Sequence, residues 1–555
     1  MMEKAPFSGL SRQDIVESLN NESFDLLIIG GGVTGCGIAL DAASRGLKVG
    51  LVEKKDFASG TSSKSTKLIH GGLRYLKQFD VGLVRETGQE RAVLNKLAPH
   101  LALPEKMLLP IVEDGTFGKY SASFGLWVYD FLAGVSGKDK RVMLTKEEAL
   151  EKEPLLDEKI LKSAGYYAEY RTDDARLTIE LIKKAVSFGA VALNYCEVVD
   201  FIEEDVIQGV IAKDRLNGET YHIKASKVVS AAGPWVDTLR KMNESLKGKR
   251  LHLTKGVHLV FPHEKLPLNH SVYFDVPDGR MIFAIPRGRA TYVGTTDTNY
   301  TGDLNRIVAT KADREYLINA VNGAFPDVNL TEDDVESNWS GLRPLIHEDG
   351  KSPSELSRKD EIFQSENGLI SIAGGKLTGY RKMAEKVIDL IADLLKDEKG
   401  IEFSDAKTKT IGLTNAPFKS NKEVTDYIKK LSDEFVSEGI NPYYAWYIVT
   451  NYGKDCLDII NEAKGENGTI SEQELIFAEV NHCITKEQTM TVEDFFVRRT
   501  GRLYFNIKSV IDYKEEVVKL MAEKYAWSEE RVAQETENIN MLIQDATTYY
   551  DEEFS

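Results

Sequence analysis

FDLLIIGGGVTGCGIALDAASRGLKVGLVE, residues 24–53, decides the fold. Residues 24–29, apolar except for Asp25, read as a strand buried on both faces. Three glycines interrupt it, and residues 35–45 read as a helix whose small side chains permit close packing on that strand. Gly46 stops the helix, and residues 48–53 supply a second apolar strand ending in an acid. Strand, helix and strand in that order make a βαβ unit, which implies a parallel sheet.

Inside the unit, Gly30, Gly32 and Gly35 stand at the GxGxxG spacing. Gly30 permits a tight turn, Gly32 lets backbone approach a pyrophosphate, and Gly35 allows the helix to pack closely. The helix N-terminus offers unpaired N–H donors to the anion. Glu53, at the end of the second strand, can accept both ribose hydroxyls and would repel a 2′-phosphate, so NADP is disfavoured. The motif allows NAD and FAD equally. The segment ASGTSSKSTKLIHGGLRYLKQ, residues 58–78, follows with small hydroxyl residues and glycines suited to wrapping a long ligand, which an NAD enzyme does not usually need.

Farther out, helical stretches such as residues 83–97 mix with alternating strands such as 281–285 and 291–293. Strands at 228–232 and 369–372 run into small residues where backbone can approach a ligand. Beyond residue 404 the pattern changes to helices with visible start signals: Ser420 with Glu423, Ser471 with Glu474 and, less well matched, Ser528 with Arg531. A separate helical C-terminal domain is expected.

A chain of 555 residues exceeds what one core usually spans, so two or three domains are expected. A net charge of −17 argues against a nucleic-acid partner, which needs clustered Lys and Arg. Cys36, Cys196, Cys456 and Cys483 lie far apart with no CxxC pair, so neither a metal site nor a disulfide framework is suggested and a cytoplasmic setting fits. The N-terminal residues lack the apolar core of a signal peptide. The longest apolar run, 26–40, is shorter than a bilayer span.

Eight segments in the first 400 residues carry a resemblance: GGGVTGCG (30–37), SSKSTKLIHGGLRYL (62–76), AAGPW (231–235), KGVHLV (255–260), GTTDT (294–298), GLRPL (341–345), SRKDEI (357–362) and AGGKLTGYR (373–381). With these the sequence resembles the FAD-dependent glycerol-3-phosphate dehydrogenases, a branch of the D-amino-acid-oxidase-like flavoproteins. TVEDFFVRRT (491–500) resembles their helical C-terminal domain. The resemblance implies a fold of class α/β and α+β. A Rossmann-like FAD-binding domain (1–80, 160–250 and 340–400) is interleaved with a mixed-sheet substrate domain (81–159 and 251–339), and a helical C-terminal domain follows (405–555). It also implies noncovalent FAD held by Gly30, Gly32, Gly35, Glu53, Thr61, Ser62, Ser63, Lys67, Leu68, Gly375 and Thr378, with backbone of Val198 and Gly233 adding contacts. The residues themselves leave His70 open as a covalent attachment point. Related oxidases carry a middle insertion that is not recognised in this sequence, so dehydrogenase is favoured over oxidase. The implied partners are glycerol 3-phosphate and a membrane quinone reached by peripheral attachment at the inner face of the cell membrane; oligomeric state is left open, a homo-oligomer among the alternatives.

Oxidising a secondary alcohol needs a hydride acceptor, a proton acceptor and cations beside the oxygen. Arg343 and Lys376 are the candidate cations, and His258 is the candidate base with His70 as its competitor. A phosphate dianion calls for forked donors, which points to Arg74 and Arg358, with the Tyr75 phenol beside them. No metal is required. Without the resemblance His258 would read as a packed histidine, the arginines as surface pairs and Cys36 as a small packing residue. Rival functions are an oxidase of the same substrate, an amine or amino-acid oxidase of the same fold, and a flavin-binding interaction protein.

Overall fold

The computed structural model describes residues 6–70, 81–113, 115, 128, 140–347, 360–464 and 470–551. Leu26, Leu27, Ile28 and Ile29 are all buried, and the strand that contains them, Ser23–Ile29, sits in the middle of an eight-stranded sheet. It pairs in parallel with Val49–Val52 on one side and with the end of Thr220–Ser230 on the other. Val191–Leu193 and Leu369–Gly374 extend the parallel array, Asp360–Gln364 closes one edge antiparallel, and Cys196–Glu203 with Ile207–Asp214 branch from the start of Thr220–Ser230. Four apolar residues in succession form a strand here because both faces of the parallel sheet are covered, one by helices and the other by Arg12–Asn21 together with the strands Cys196–Glu203 and Ile207–Asp214.

The helix Val33–Arg45 begins on Gly32 and ends where Gly46 turns left-handed at φ 100°. Small residues set its packing. A Cβ on Gly35 would strike the Gly30 carbonyl, and one on Gly37 would lie 2.8 Å from the Tyr380 ring. That ring belongs to Tyr380–Lys399, which packs on the same helix.

A second, ten-stranded sheet is largely antiparallel. Its central strand, Leu251–Pro262, runs beside Ser337–Ile346 along nearly its whole length, placing Thr254 opposite Arg343, Gly256 opposite Gly341 and His258 opposite Trp339. Alternation sends Val257, Leu259 and Phe261 into a core with Leu317 and Val321 of the helix Lys311–Ala324. Gly256, His258, Gly341 and Arg343 face the other way. Leu161–Arg171 and Ser337–Ile346 both hydrogen-bond into this second sheet.

The C-terminal helices Asn421–Ser437, Glu472–Lys486 and Glu529–Thr547 start on Ser420, Ser471 and Ser528, each of which accepts a hydrogen bond from the backbone three residues on. Their core is continuous with the second sheet: Tyr273, Ile285, Tyr292 and Trp339 pack with Phe495, Tyr504 and Phe505. Among the described residues no helix is long and apolar enough to cross a membrane.

Candidate active site

Both sheets open onto one cavity of about 330 Å³. The glycine turn supplies its first wall. Gly30 has φ 112°, and a Cβ there would lie 2.7 Å from the Ala231 carbonyl oxygen, so only glycine fits between the two parallel strands. Gly32 caps the helix without a side-chain hydrogen bond, and the Val33 N–H donates to Ser62 Oγ at 3.0 Å. Glu53 lines the cavity while its carboxylate accepts from the N–H groups of Gly31 (2.7 Å) and Lys55 (2.9 Å). Burial pushes this carboxyl above its usual range, and those two N–H donors oppose the shift. Gly233 and Gly375, at φ 52° and 80°, bring bare backbone to the same cavity.

These features fit a dinucleotide: a helix N-terminus open to an anion, a carboxylate at the strand end and left-handed glycines where backbone meets ligand. Of the residues expected to hold the cofactor, Gly30, Gly32, Glu53, Thr61, Ser62, Leu68, Val198, Gly233, Gly375 and Thr378 line this one cavity. Gly35 lies behind it as a packing position. Ser63 and Lys67 do not line it. The Lys67 ammonium instead forms a buried pair with Asp174 at 2.5 Å and donates to the Ser63 carbonyl at 3.1 Å, because a buried ammonium needs a counter-charge more than a distant ligand.

The same cavity is lined by His70, His258, Arg343 and Lys376. They come from separate segments: the loop after Leu68–Ile69, the two long strands of the second sheet, and the turn leading into Tyr380–Lys399. Arg343 is fixed by donating from Nη2 to Thr295 Oγ1 at 2.9 Å and from Nη1 to Thr296 O and Asp297 Oδ1, both at 3.1 Å. Gly256 makes room for it, since a Cβ there would sit 2.5 Å from Nη2. His258 is 1% exposed and lies flat on Trp339, with ring centroids 4.6 Å apart and planes 9° apart. Burial, then the charges of Arg343 and Lys67, hold its pKa well below the usual imidazole value, so it is neutral at neutral pH. Arg74, Tyr75 and Arg358, the expected phosphate clamps, lie outside the described residues.

Several residues that sequence reasoning missed belong to this region. Thr66 lines the cavity and places its hydroxyl 3.0 Å from His258 Nε2. Lys54 lines it too, its ammonium 3.9 Å from the centroid of the Trp235 ring, and burial brings its pKa down to about 8. Asp56, fully buried three residues past Glu53, binds Arg498 and Arg499 from the C-terminal region. TVEDFFVRRT carried the resemblance, but nothing in its pattern pointed to Asp56.

The four cysteines are buried and unpaired by disulfides, and burial pushes the Cys36 thiol well up, as suits a packing residue.

The chain matches the family described as FAD dependent oxidoreductase over residues 25–381, and the C-terminal domain of alpha-glycerophosphate oxidase over residues 406–532. The aerobic glycerol-3-phosphate dehydrogenase of Bacillus subtilis (strain 168) is 50% identical over 544 residues, which is 97% of this chain and 98% of that protein. The protein of the same name from Staphylococcus aureus (strain USA300) is 48% identical over 97% of this chain and 98% of its own length. Among solved structures, the glycerol-3-phosphate dehydrogenase from Bacillus halodurans complexed with FAD superimposes with a TM-score of 0.82 at 43% identity, covering 98% of this chain and 99% of that one. The L-alpha-glycerophosphate oxidase from Mycoplasma pneumoniae with FAD bound shares the fold, with a TM-score of 0.56 at 20% identity over 72% of this chain and 100% of that one.

Proposed function

Because this chain belongs to the FAD-dependent oxidoreductases, in the branch of the glycerol-3-phosphate dehydrogenases, we propose that it oxidises sn-glycerol 3-phosphate at C2 to dihydroxyacetone phosphate and passes the electrons to a membrane quinone. The observation that carries the reading is the meeting of His258, Arg343 and Lys376, from three separate segments, on the cavity that also holds the glycine turn and Glu53.

Gly30, Gly32, Glu53, Gly233 and Gly375 are the residues that would hold FAD noncovalently, and bound FAD supplies the two-electron acceptor for the C2 hydride. The chain's own part is to place the alcohol and manage its charge and proton. Arg343, already oriented by three hydrogen bonds, presents a fixed cation to the substrate oxygen, and Lys376 adds a second. Neutral His258 accepts the hydroxyl proton; His70, on the same cavity, is its rival. Arg74, Tyr75 and Arg358 remain the proposed phosphate clamp.

The test is the visible spectrum of the purified protein, taken anaerobically before and after adding glycerol 3-phosphate. The flavin band should bleach with that compound and not with glycerol or an amino acid. A colourless protein that cannot be reconstituted with FAD defeats the cofactor assignment. Bleaching by an amino acid, or by nothing, returns the site to an amine oxidase or a flavin-binding interaction protein. Dehydrogenase is preferred to oxidase because the relatives at 48–50% identity carry that name. Reduced protein should therefore reoxidise slowly in air and fast with a soluble quinone.

A further inference from the structure

We propose that the substrate's hydroxyl proton reaches His258 through the hydroxyl of Thr66, which makes Thr66 a catalytic residue. The proposal rests on the reading of the cavity as a glycerol 3-phosphate site.

His258 has one polar route out. Its Nε2 lies 3.0 Å from Thr66 Oγ1, and no other hydrogen bond of the ring exists among the described residues. Nδ1 is buried and has no hydrogen-bond partner among the described residues. Trp339 covers one face of the ring, and Gly294 lies so close to its edge that a Cβ there would collide with Cδ2. A proton that enters or leaves the imidazole therefore passes at Nε2, against Thr66.

Thr66 is built to stand still. Its carbonyl accepts from the Tyr292 hydroxyl at 3.0 Å, and the next residue, Lys67, is anchored by Asp174 and the Ser63 carbonyl. What remains free is rotation of the hydroxyl, and Thr66 itself lines the cavity. A hydroxyl has one proton and two lone pairs, so it can receive a proton from one side while giving its own to the other.

The step balances as follows. As C2–H leaves with its electron pair to the two-electron acceptor of the proposed reaction, the substrate O–H bond breaks and its proton bonds to Thr66 Oγ. Thr66's original O–H bond breaks and that proton bonds to His258 Nε2. The products are the ketone, an imidazolium and an unchanged threonine. The charged groups around the ring are Arg343 from its strand and Lys67 from its loop, the latter paired with Asp174. Burial first, and these charges after it, disfavour the imidazolium in the resting site, so Nε2 can receive. A weak base suffices because the O–H becomes strongly acidic once the hydride departs.

The test uses the FAD-loaded full-length chain with Thr66→Val and Thr66→Ser. Both variants should keep bound flavin with the wild-type spectrum. Thr66→Val should slow anaerobic bleaching by glycerol 3-phosphate about 100-fold or more with little change in the half-saturating concentration, and Thr66→Ser should recover to within about tenfold of wild type. Nitrogen-15 spectra of histidine-labelled protein should show the His258 proton on Nδ1 and an Nε2 resonance that moves in Thr66→Val. Wild-type bleaching in Thr66→Val, or a His258 proton found on Nε2, overturns the relay alone. Failure of glycerol 3-phosphate to bleach the wild type overturns the site reading and the relay with it.

Discussion

Arg343 is oriented before any substrate arrives, with Thr295, Thr296 and Asp297 each taking one of its hydrogen bonds. A lysine cannot reproduce that fork. Arg343→Lys and Arg343→Ala should both lower the rate of flavin reduction, the alanine by roughly 10²- to 10³-fold, while flavin content measured by absorbance stays unchanged. Wild-type turnover in Arg343→Ala would contradict the role. A second prediction concerns acid. Against the burial that would raise it, Lys67 and Arg287 hold the Asp173 carboxyl down to about 2. A folded pKa below the unfolded value of about 3.9 stabilises above pH 4, and the contribution is lost as pH falls from about 4 towards 2. It is worth on the order of 2–3 kcal/mol, so denaturant unfolding of Asp173→Asn should show a shallower loss across that window than wild type. At this scale the sequence was readable where chemistry and backbone coincide. Arg343 precedes a proline and Lys376 follows two glycines, and both reach the cavity. It was unreadable where a side chain's partner lies far along the chain. Lys67 sits in a hydroxyl-rich ligand loop, yet its charge is consumed by Asp174, and Thr66 looks like any other hydroxyl in that loop.

The βαβ unit was legible because its information is local: an unbroken apolar strand, small residues on one helix face and a glycine stop all fall within 30 residues. Helix starts were legible for the same reason. Ser471 and Glu474 exchange both bonds of a capping box, whereas Ser528 receives its bond from Arg531, whose side chain has no acceptor to return. The pairing of Leu251–Pro262 with Ser337–Ile346 was not legible, since register between strands so distant in sequence leaves no local mark. That register gives Gly256 a function. Gly256→Ala should displace Arg343 and Thr295, cost about 1–3 kcal/mol and reduce flavin-reduction rate while FAD remains bound. Gly32→Val should do the reverse: fold, but purify with little FAD, because a branched side chain would stand where the pyrophosphate approaches and 3.2 Å from Ser62 Oγ at its Cβ. Full flavin occupancy in Gly32→Val would place the cofactor elsewhere.

Among the described residues, the helical C-terminal region is tied to the cavity through Trp339 and through Asp56. Tyr504 and Phe505 pack on Trp339, which also stacks on His258, so the proposed base rests on an aromatic cluster that begins in the C-terminal region. The second tie is Asp56. Arg498 Nε donates to it at 2.7 Å, Arg499 Nη1 and Nη2 at 2.6 and 3.0 Å, and Asn194 Nδ2 at 2.9 Å, with every partner buried. Asp56 belongs to the loop between Glu53 and Ser62, both of which line the cavity, so the arginines hold the proposed cofactor side of the cavity from a segment more than 400 residues away. Asp56→Asn keeps an acceptor oxygen but removes the charge, leaving Arg499 with the Glu487 carbonyl and, 3.8 Å from its Nε, the Glu487 carboxylate. Breaking a buried pair from one side costs about 3–5 kcal/mol. Asp56→Asn should therefore unfold at lower denaturant and, while folded, bind FAD at least about tenfold more weakly, with added FAD restoring part of the stability by mass action. The measurement is FAD titration of the apoprotein beside denaturant unfolding with and without FAD. If stability falls but FAD affinity does not, the arginines clamp the domains without shaping the cofactor loop.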